Sequence, residues 1–145
     1  MEILVSEVGP RDGLQSISAI MPLEAKKAWI DAEAAAGVRE IEVGSFVPAK
    51  ILPQLADTAE VVAHALTIPG LTVAVLVPNA RGAEAAIAAG AHKLTLPLSV
   101  SETHSLANLR RTHAQVIAEA RLIADMIKAL PRERLWGSTI NADFG

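Results

Sequence analysis

The sequence lacks cysteine altogether, which excludes disulfide bonds and thiolate metal sites within the chain. Aromatic residues make up only 3% of it, so the core must be aliphatic and rich in alanine. No apolar run approaches the roughly 20 residues that are needed to cross a bilayer. The first residues also lack the basic region and the length of a signal peptide. We therefore expect a cytoplasmic protein with no membrane partner.

An excess of positive charge is lacking as well. The formal net charge at pH 7 is -3, and no segment carries basic residues at the density that binding to a nucleic-acid backbone requires. We interpret the adjacent Arg110 and Arg111 as a solvated patch on a helix. The sequence therefore predicts no nucleic-acid partner.

What the sequence does contain is a regular alternation of predicted strands and helices. The chain has 145 residues, 51% of them hydrophobic, which is enough for one ordinary globular domain. Apolar patterns predict strands at 3–8, 39–43, 72–77, 93–98 and 135–141, and helices at 23–36, 53–66, 80–89 and 106–130. This order is typical of an α/β fold with a parallel sheet and crossover helices.

Two parts of the sequence share one pattern. Residues 34–43 and residues 87–96 each read as a helix end, a glycine and a strand, with Gly37 and Gly90 at matching places. The pattern fits two equivalent settings in the wall of a barrel. It fits equally well the ordinary way in which any helix connects to a strand, and the sequence does not separate these interpretations.

The residues best suited to chemistry follow the first predicted strand. Arg11 and Asp12 stand side by side directly after its apolar run. A guanidinium offers a planar fork of donors to a carbonyl or enolate oxygen, and an adjacent carboxylate can hold a divalent cation. A plain turn is the alternative, since Asp-Gly dipeptides are common in turns. Because Glu42 and Ser45 come at the end of the second predicted strand, two strand ends carry polar groups, and we favour a metal-assisted carbanion reaction.

Five motifs resemble those of the hydroxymethylglutaryl-CoA lyase family. They are Glu-Val-Gly-Pro-Arg-Asp-Gly-Leu-Gln from position 7, Ile-Glu-Val-Gly-Ser-Phe-Val from 41, Pro-Gln-Leu-Ala-Asp from 53, Val-Pro-Asn-Ala-Arg-Gly from 77 and Ala-Ala-Gly-Ala from 88. The resemblance covers essentially the whole chain. It implies a TIM-barrel type of α/β fold, in which residues 1–145 form a single, incomplete domain: the amino-terminal part of a (β/α)8 barrel, with about five of the eight βα units present.

The same resemblance implies a metal-dependent carbon-carbon lyase. Such an enzyme cleaves 3-hydroxy-3-methylglutaryl-CoA, or a close acyl-CoA analogue, to acetyl-CoA and a 3-oxo acid by a retro-aldol (Claisen-type) step. Its cofactor is Mg²⁺ or Mn²⁺, and the reaction belongs to leucine degradation. By this resemblance Asp12 is a metal ligand, Arg11 neutralises the thioester enolate oxygen, and Glu42 orients Arg11 or a metal-bound water.

Four further residues match family positions that bind substrate. The resemblance implies that Gln15 and Ser45 line the same pocket as Arg11. It also implies that Glu102 and Asn108, near the end of the fourth strand, contact the substrate or the CoA arm.

Other polar residues are interpreted as structural. We assign Asn79 and Arg81 to a turn and a helix start. We assign Glu33 to the border of a helix face, without a function, and His104 to a solvated loop.

The sequence departs from the family in two ways. Ser16 and Ile17 stand where many relatives continue Asn-Glu. A basic residue that often follows soon after in the family is absent, so one CoA contact is not implied here. The sequence also stops where the fifth strand of the barrel would end, and the remaining metal ligands of the family lie beyond that point. We therefore expect this chain alone to be inactive or nearly so, and to act as a homo-oligomer or with a completing carboxyl-terminal segment.

Two alternatives to the lyase stay open. One is a non-catalytic partial barrel that acts as an assembly or binding module. The other is a related Claisen-condensing synthase of the isopropylmalate or citramalate type. In each case five strands of an open barrel leave unpaired edges and an aliphatic interior that faces water. We assign this interior to Leu4, Val73, Val75 and Leu94 or their neighbours.

Overall fold

The computed structural model describes residues 3–131 and 138–143, and its strands form one five-stranded parallel sheet in sequential order. The strands are β1 Ser6–Glu7, β2 Glu40–Ser45, β3 Thr72–Leu76, β4 Lys93–Ser99 and β5 Ser138–Asp143. The helices are α1 Leu23–Ala35, α2 Thr58–Ala65, α3 Ala80–Ala89, α4 Glu102–Leu109 and α5 His113–Lys128. Parallel strands in sequential order, with helices between them, form the wall of a (β/α)8 barrel. The predicted partial TIM-barrel fold is confirmed.

The two units that share a sequence pattern also share a backbone geometry. Gly37 follows α1 with φ 98°, and Gly90 follows α3 with φ 92°. Both values lie in the left-handed region that glycine adopts without a steric cost, which ends the helix and turns the chain toward the next strand. The pattern therefore marks the same helix, glycine and strand unit twice in the wall.

The hydrophobic core lies between the sheet and the helices. Ile41, Val73, Val75 and Leu94 from the strands are buried there, and they pack with apolar residues of the helices such as Ile30. The assignment of Val73, Val75 and Leu94 to an aliphatic barrel interior is therefore wrong. Because successive strand residues point to opposite faces, these residues face the helices.

The opposite face of the sheet, called the inner face here, carries charged and polar residues. Glu40 and Glu42 lie on β2, and Lys93 and Thr95 lie on β4. The Lys93 ammonium donates to Glu40 Oε1 at 2.8 Å. This contact spans from β2 to β4 across β3, where the small Ala74 lies in register with both Glu42 and Lys93. An ion pair therefore links β2 and β4 across the inner face.

The first strand differs most from its prediction. A buried strand was expected at 3–8, but only Ser6 and Glu7 pair with β2. The side chains of Ile3, Leu4 and Val5 are 72%, 53% and 74% exposed. The physical reason is that β1 is the edge of the described sheet and has a neighbouring strand on one side only. Leu4 is exposed beside this edge, so its predicted place in a barrel interior that faces water stays a prediction.

The single helix that was predicted at 106–130 is two helices. Arg110, at φ 54°, ends α4 in the left-handed conformation. Thr112 and Gln115 then form a capping box that begins α5: Gln115 N donates to Thr112 Oγ1, and Thr112 N donates to Gln115 Oε1. Arg111 donates to the Pro78 carbonyl at 3.0 Å, so it links this junction to the loop after β3. The interpretation of Arg111 as part of a solvated patch is therefore wrong.

Other boundaries differ less. The predicted helix at 53–66 is a 3-10 turn, Pro53–Leu55, followed by α2. β2 ends at Ser45, two residues beyond its prediction, so Glu42 lies within the strand. Residues 135–137 of the predicted fifth strand lie outside the described residues. No helix in the described part of the chain is long and apolar enough to span a bilayer.

The close packing of α2 on β2 gives a first prediction. A Cβ atom at Gly44 would lie 2.7 Å from Thr58 Cγ2, so Gly44→Ala should overpack this contact and lower the free energy of unfolding by about 1–3 kcal/mol. Urea denaturation measures the change. The matched control is Gly13→Ala, where no atom lies within 4 Å of the new Cβ. Equal losses in both variants would contradict the prediction.

Candidate active site

A short turn places Arg11 beside β2. Residues Gly9–Gly13, called the Arg11 turn here, form one turn of π-helix directly after β1. Arg11 Nε donates to Glu42 Oε1 at 2.6 Å, and one terminal nitrogen of Arg11 donates to Asp12 Oδ1 at 2.9 Å. The predicted association of Arg11 with Glu42 is therefore present as a direct ion pair.

The three charged side chains differ in their exposure. Glu42 is 3% exposed, Arg11 is 13% exposed, and Asp12 is 59% exposed. Arg11 therefore bridges a buried carboxylate on the inner face and a carboxylate that is open to solvent. This arrangement leaves the oxygens of Asp12 accessible to an external cation or ligand, while those of Glu42 are enclosed.

Burial raises the pKa of Glu42 above its ordinary value, because a carboxylate loses hydration inside the protein. The positive charge of Arg11 and its hydrogen bond lower this pKa, as does a hydrogen bond from Thr95, and the negative charge of Asp12 raises it. Since the folded state holds this proton more tightly than the unfolded chain does, the contribution of Glu42 to stability falls as the pH rises from the ordinary pKa through the raised one.

Ser45 lies close to this site but has a structural contact. Its side chain is buried, and its Oγ accepts a hydrogen bond from Val47 N at 3.3 Å. Its own N–H donates to Thr58 Oγ1 at 3.1 Å. These bonds fix the loop that leaves β2. The predicted role of Ser45 in binding substrate stays a prediction.

The remaining predicted substrate residues are exposed. Gln15 follows the Arg11 turn, and Glu102 and Asn108 lie at the two ends of α4, the helix after β4. All three side chains are open to solvent. Their predicted contacts with substrate stay predictions.

The Pro-Gln-Leu-Ala-Asp motif holds the loop after the Arg11 turn. The buried Lys26 of α1 donates to the Gln54 carbonyl at 2.6 Å and forms an ion pair with Asp57. The Gln54 side chain donates to the Ile17 carbonyl. The motif therefore fastens α1, α2 and the segment before α1 to one another.

Two polar residues of β4 were missed as members of this region. Thr95 bonds to Glu42, and the buried Ser99 bonds to His104 Nδ1 at 2.7 Å. The only sequence signal for Thr95 and Ser99 was their spacing of four, which puts both on the same face of β4. His104 lies on α4, so its assignment to a solvated loop is wrong. Asn79, by contrast, begins α3 as predicted, with its side chain accepting from Gly82 N.

The described residues do not by themselves assemble a metal site of three or more ligands. No group of three or more histidine or acidic side chains in the described part of the chain lies together as a metal site. Asp12 fits one position in such a site, since its carboxylate is exposed and hard cations prefer oxygen ligands. Additional ligands are needed to complete a site around it.

The Glu42 environment gives a second prediction. Arg11→Met should raise the pKa of Glu42 further, because it removes both the positive charge and the hydrogen bond that lower this pKa. Asp12→Asn should lower it, because a negative charge is lost. NMR titration of the Glu42 carboxyl carbon in metal-free buffer measures both shifts. The control is Arg81→Met, which changes an exposed arginine on α3. A Glu42 titration that is the same in Arg11→Met and Arg81→Met would contradict the ion pair.

Comparison with known proteins shows which family the chain belongs to. The HMGL-like family model matches residues 2–141. The chain is 37% identical over 126 residues to the mitochondrial hydroxymethylglutaryl-CoA lyase of Arabidopsis thaliana, with 87% of this chain and 27% of the relative covered. It is 42% identical over 108 residues to a 3-hydroxy-3-isohexenylglutaryl-CoA/hydroxymethylglutaryl-CoA lyase of Pseudomonas aeruginosa, with 74% of this chain and 36% of the relative covered.

A solved structure extends the match to the fold. The HMG-CoA lyase of Acinetobacter baumannii, in complex with coenzyme A and 3-methylmalate, has 37% sequence identity and a TM-score of 0.82. The match covers 94% of this chain and 44% of that chain. The present chain thus spans about a third of the length of these two curated relatives and less than half of the solved one. With its sequence matched from residue 2 to residue 141 and its fold matched over 94% of its length, the chain belongs to the HMGL-like family.

Proposed function

We propose that this chain supplies the Arg11 and Asp12 part of the active site of a metal-dependent carbon-carbon lyase. The substrate is 3-hydroxy-3-methylglutaryl-CoA or a close acyl-CoA analogue, and the products are acetyl-CoA and a 3-oxo acid. The observation that carries the proposal is the ion pair of Arg11 with the buried Glu42, next to the exposed Asp12. Membership of the HMGL-like family supports it. We propose the cytoplasm as its compartment.

The ion pair prepares Arg11 for a negative charge that develops during the reaction. Retro-aldol cleavage leaves an enolate on the acetyl thioester, and a guanidinium that is already held in place stabilises this charge without reorganisation. Glu42 binds Nε of Arg11 and Asp12 binds one terminal nitrogen. A guanidinium has five N–H donors, so others can donate to the enolate oxygen. Glu42 acts here by orienting Arg11.

Asp12 is the residue that we propose to hold Mg²⁺ or Mn²⁺. Its exposed carboxylate offers the hard oxygen ligand that these ions prefer. When bound, such an ion supplies a positive charge that polarises a substrate oxygen. A single carboxylate binds Mg²⁺ weakly, because most of the coordination sphere stays with water. The other ligands therefore come from another part of the complete enzyme. The complete enzyme, with this chain as one part, is called the active assembly here.

The proposal allows more than one acyl group in the substrate. The Pseudomonas relative is named for both a hydroxymethylglutaryl and a longer isohexenylglutaryl thioester. We propose the same reaction for the present chain with either class, because the charge that Arg11 meets is on the thioester half of the substrate, which both classes share.

A third prediction separates the roles of Arg11 and Asp12. In the active assembly, Arg11→Met should lower kcat by about 10²- to 10³-fold, since one well-placed donor to an oxyanion is lost, while metal affinity is kept. Asp12→Asn should weaken metal binding. A Mn²⁺ titration and the release of acetyl-CoA from 3-hydroxy-3-methylglutaryl-CoA measure both effects.

The control for this pair is again Arg81→Met, which should keep the parent rate and metal affinity. Near-normal turnover in Arg11→Met would remove the basis of the proposed chemistry. A parent-like Mn²⁺ affinity in Asp12→Asn would remove Asp12 as a metal ligand.

A fourth prediction concerns assembly. The exposed Ile3, Leu4 and Val5 lie next to the β1 edge, and a free parallel strand edge with apolar neighbours is normally paired or covered. We propose that a second copy of the chain or a completing carboxyl-terminal segment covers it. Light scattering after size-exclusion chromatography of the 145-residue chain should give a dimer or larger species. A monodisperse monomer that melts cooperatively would contradict this and would favour a self-contained module.

A further inference from the structure

Outside the candidate active site, the indole of Trp29 on α1 covers the first residue of the Arg11 turn. A Cβ atom built at Gly9 would lie 2.9 Å from Trp29 Cζ2 and 2.8 Å from Glu7 Oε1, which leaves no room for a side chain. Gly9 N also donates to Glu7 Oε1 at 2.7 Å. Gly9 is therefore enclosed by the indole of Trp29 and the carboxylate of Glu7.

Val8, the neighbour of Gly9, accepts the hydrogen bonds that close the Arg11 turn. The Val8 carbonyl accepts from Arg11 N at 3.1 Å and from Asp12 N at 2.7 Å, so the turn closes on the residue before Gly9. Only two residues of β1 pair with the sheet, which is a weak attachment. Contact with α1 gives the turn a second support, and α1 itself is fixed by the fully buried Ile30.

Glu33 is one turn of α1 away from Trp29 and holds its indole. Trp29 Nε1 donates to Glu33 Oε1 at 2.6 Å. This bond restricts the rotation of the ring, because Nε1–H is the single donor of an indole and it must point toward Glu33. Glu33, which was predicted to lie at the border of a helix face without a function, therefore contacts the residue that covers Gly9.

A carboxylate is an unfavourable choice for packing alone at position 33. Burial raises the pKa of Glu33, and the negative charge of Glu7 adds to this, while the hydrogen bond from Trp29 lowers it. Glu33 Oε2 is buried without a hydrogen-bond partner among the described residues. A half-satisfied buried polar group stabilises a fold less than an apolar side chain of similar size does. Glu33 accepts a hydrogen bond from Trp29, which an apolar side chain such as leucine could not do.

We propose that Glu33 and Trp29 are positioning residues, which hold the Arg11 turn at the place where Arg11 meets Glu42. They do not touch the reacting atoms. This inference rests on the proposed function, since the position of Arg11 affects turnover only if the chain takes part in the lyase reaction. The hold on the turn itself can be measured without any turnover.

The test compares two substitutions of Glu33 in the 145-residue chain. Glu33→Leu keeps a side chain of similar size but has no acceptor, and Glu33→Gln keeps the acceptor without the charge. Hydrogen exchange of the Arg11 and Asp12 amides should be about tenfold faster in Glu33→Leu and near the parent rate in Glu33→Gln. The melting temperature of Glu33→Leu should equal or exceed that of the parent, because a half-buried carboxylate whose Oε2 has no hydrogen-bond partner among the described residues is gone.

Two controls make the result specific. Glu24→Leu changes an exposed glutamate of the same helix and should leave the exchange of both amides unchanged. Trp29→Phe removes the donor and should speed exchange as Glu33→Leu does, and the double variant should be no faster than either one, because both act through one hydrogen bond.

Two results would overturn the inference about Glu33 and Trp29. Parent-like exchange of the Arg11 and Asp12 amides in Glu33→Leu overturns the inference. A lower melting temperature with faster exchange throughout α1 and β2 also overturns it, since that is the signature of a structural role. In the active assembly, Glu33→Leu should lower kcat and leave KM for the acyl-CoA within about twofold. If the active assembly with the parent sequence shows no lyase activity, the proposed function fails while the exchange result still decides the role of Glu33.

Discussion

The ion pair between Arg11 and Glu42 is the contact on which the candidate site depends. It joins the turn after the first strand to the second strand, at a place where the first strand contributes only two paired residues. It also compensates a carboxylate that would otherwise be buried without a counter-charge, which is strongly unfavourable. The same contact therefore fastens the turn, makes the burial of Glu42 tolerable and directs the guanidinium.

The inner face of the sheet explains why this pair can form. Two contacts, Lys93 with Glu40 and Thr95 with Glu42, connect β2 with β4 and pass over β3. Side chains on alternate strands can meet in this way only where their face of the sheet is concave and the residue between them is small. Ala74 provides the small residue, so the curvature of the wall and the polar contacts of its interior support each other.

The order of the strands and helices could be predicted from the sequence, because the spacing of apolar residues and the positions of glycines mark these elements directly. The third helix, Ala80–Ala89, and the third and fourth strands were predicted within a residue. The face that each strand residue takes was not predicted, since β3 offers small or apolar residues on both of its faces and only the neighbouring elements decide which is covered. The split between α4 and α5 was missed although its capping box, Thr112 to Gln115, is visible in the sequence.

The candidate site was partly predictable for a similar reason. Arg11, Asp12 and Glu42 stand next to strand signals, and their association follows from parallel strands that end on one side. The proposed positioning role of Glu33 could not be predicted from the sequence. Its partner Trp29 is on the same helix, and Trp29 approaches Gly9 only once α1 packs against the Arg11 turn. Helical spacing alone makes such a pair look like ordinary surface packing.

The sequential order of the strands has a consequence for how the wall is made. Each strand from β2 to β4 pairs with the strand that precedes it and the strand that follows it in the chain, so no pairing has to wait for a distant segment. Such a topology keeps the sequence separation of contacts short for a parallel sheet, and short separations favour fast folding. During synthesis β2 and β3 can associate before β4 has left the ribosome, and the surroundings of Glu42 begin to form from the amino-terminal side.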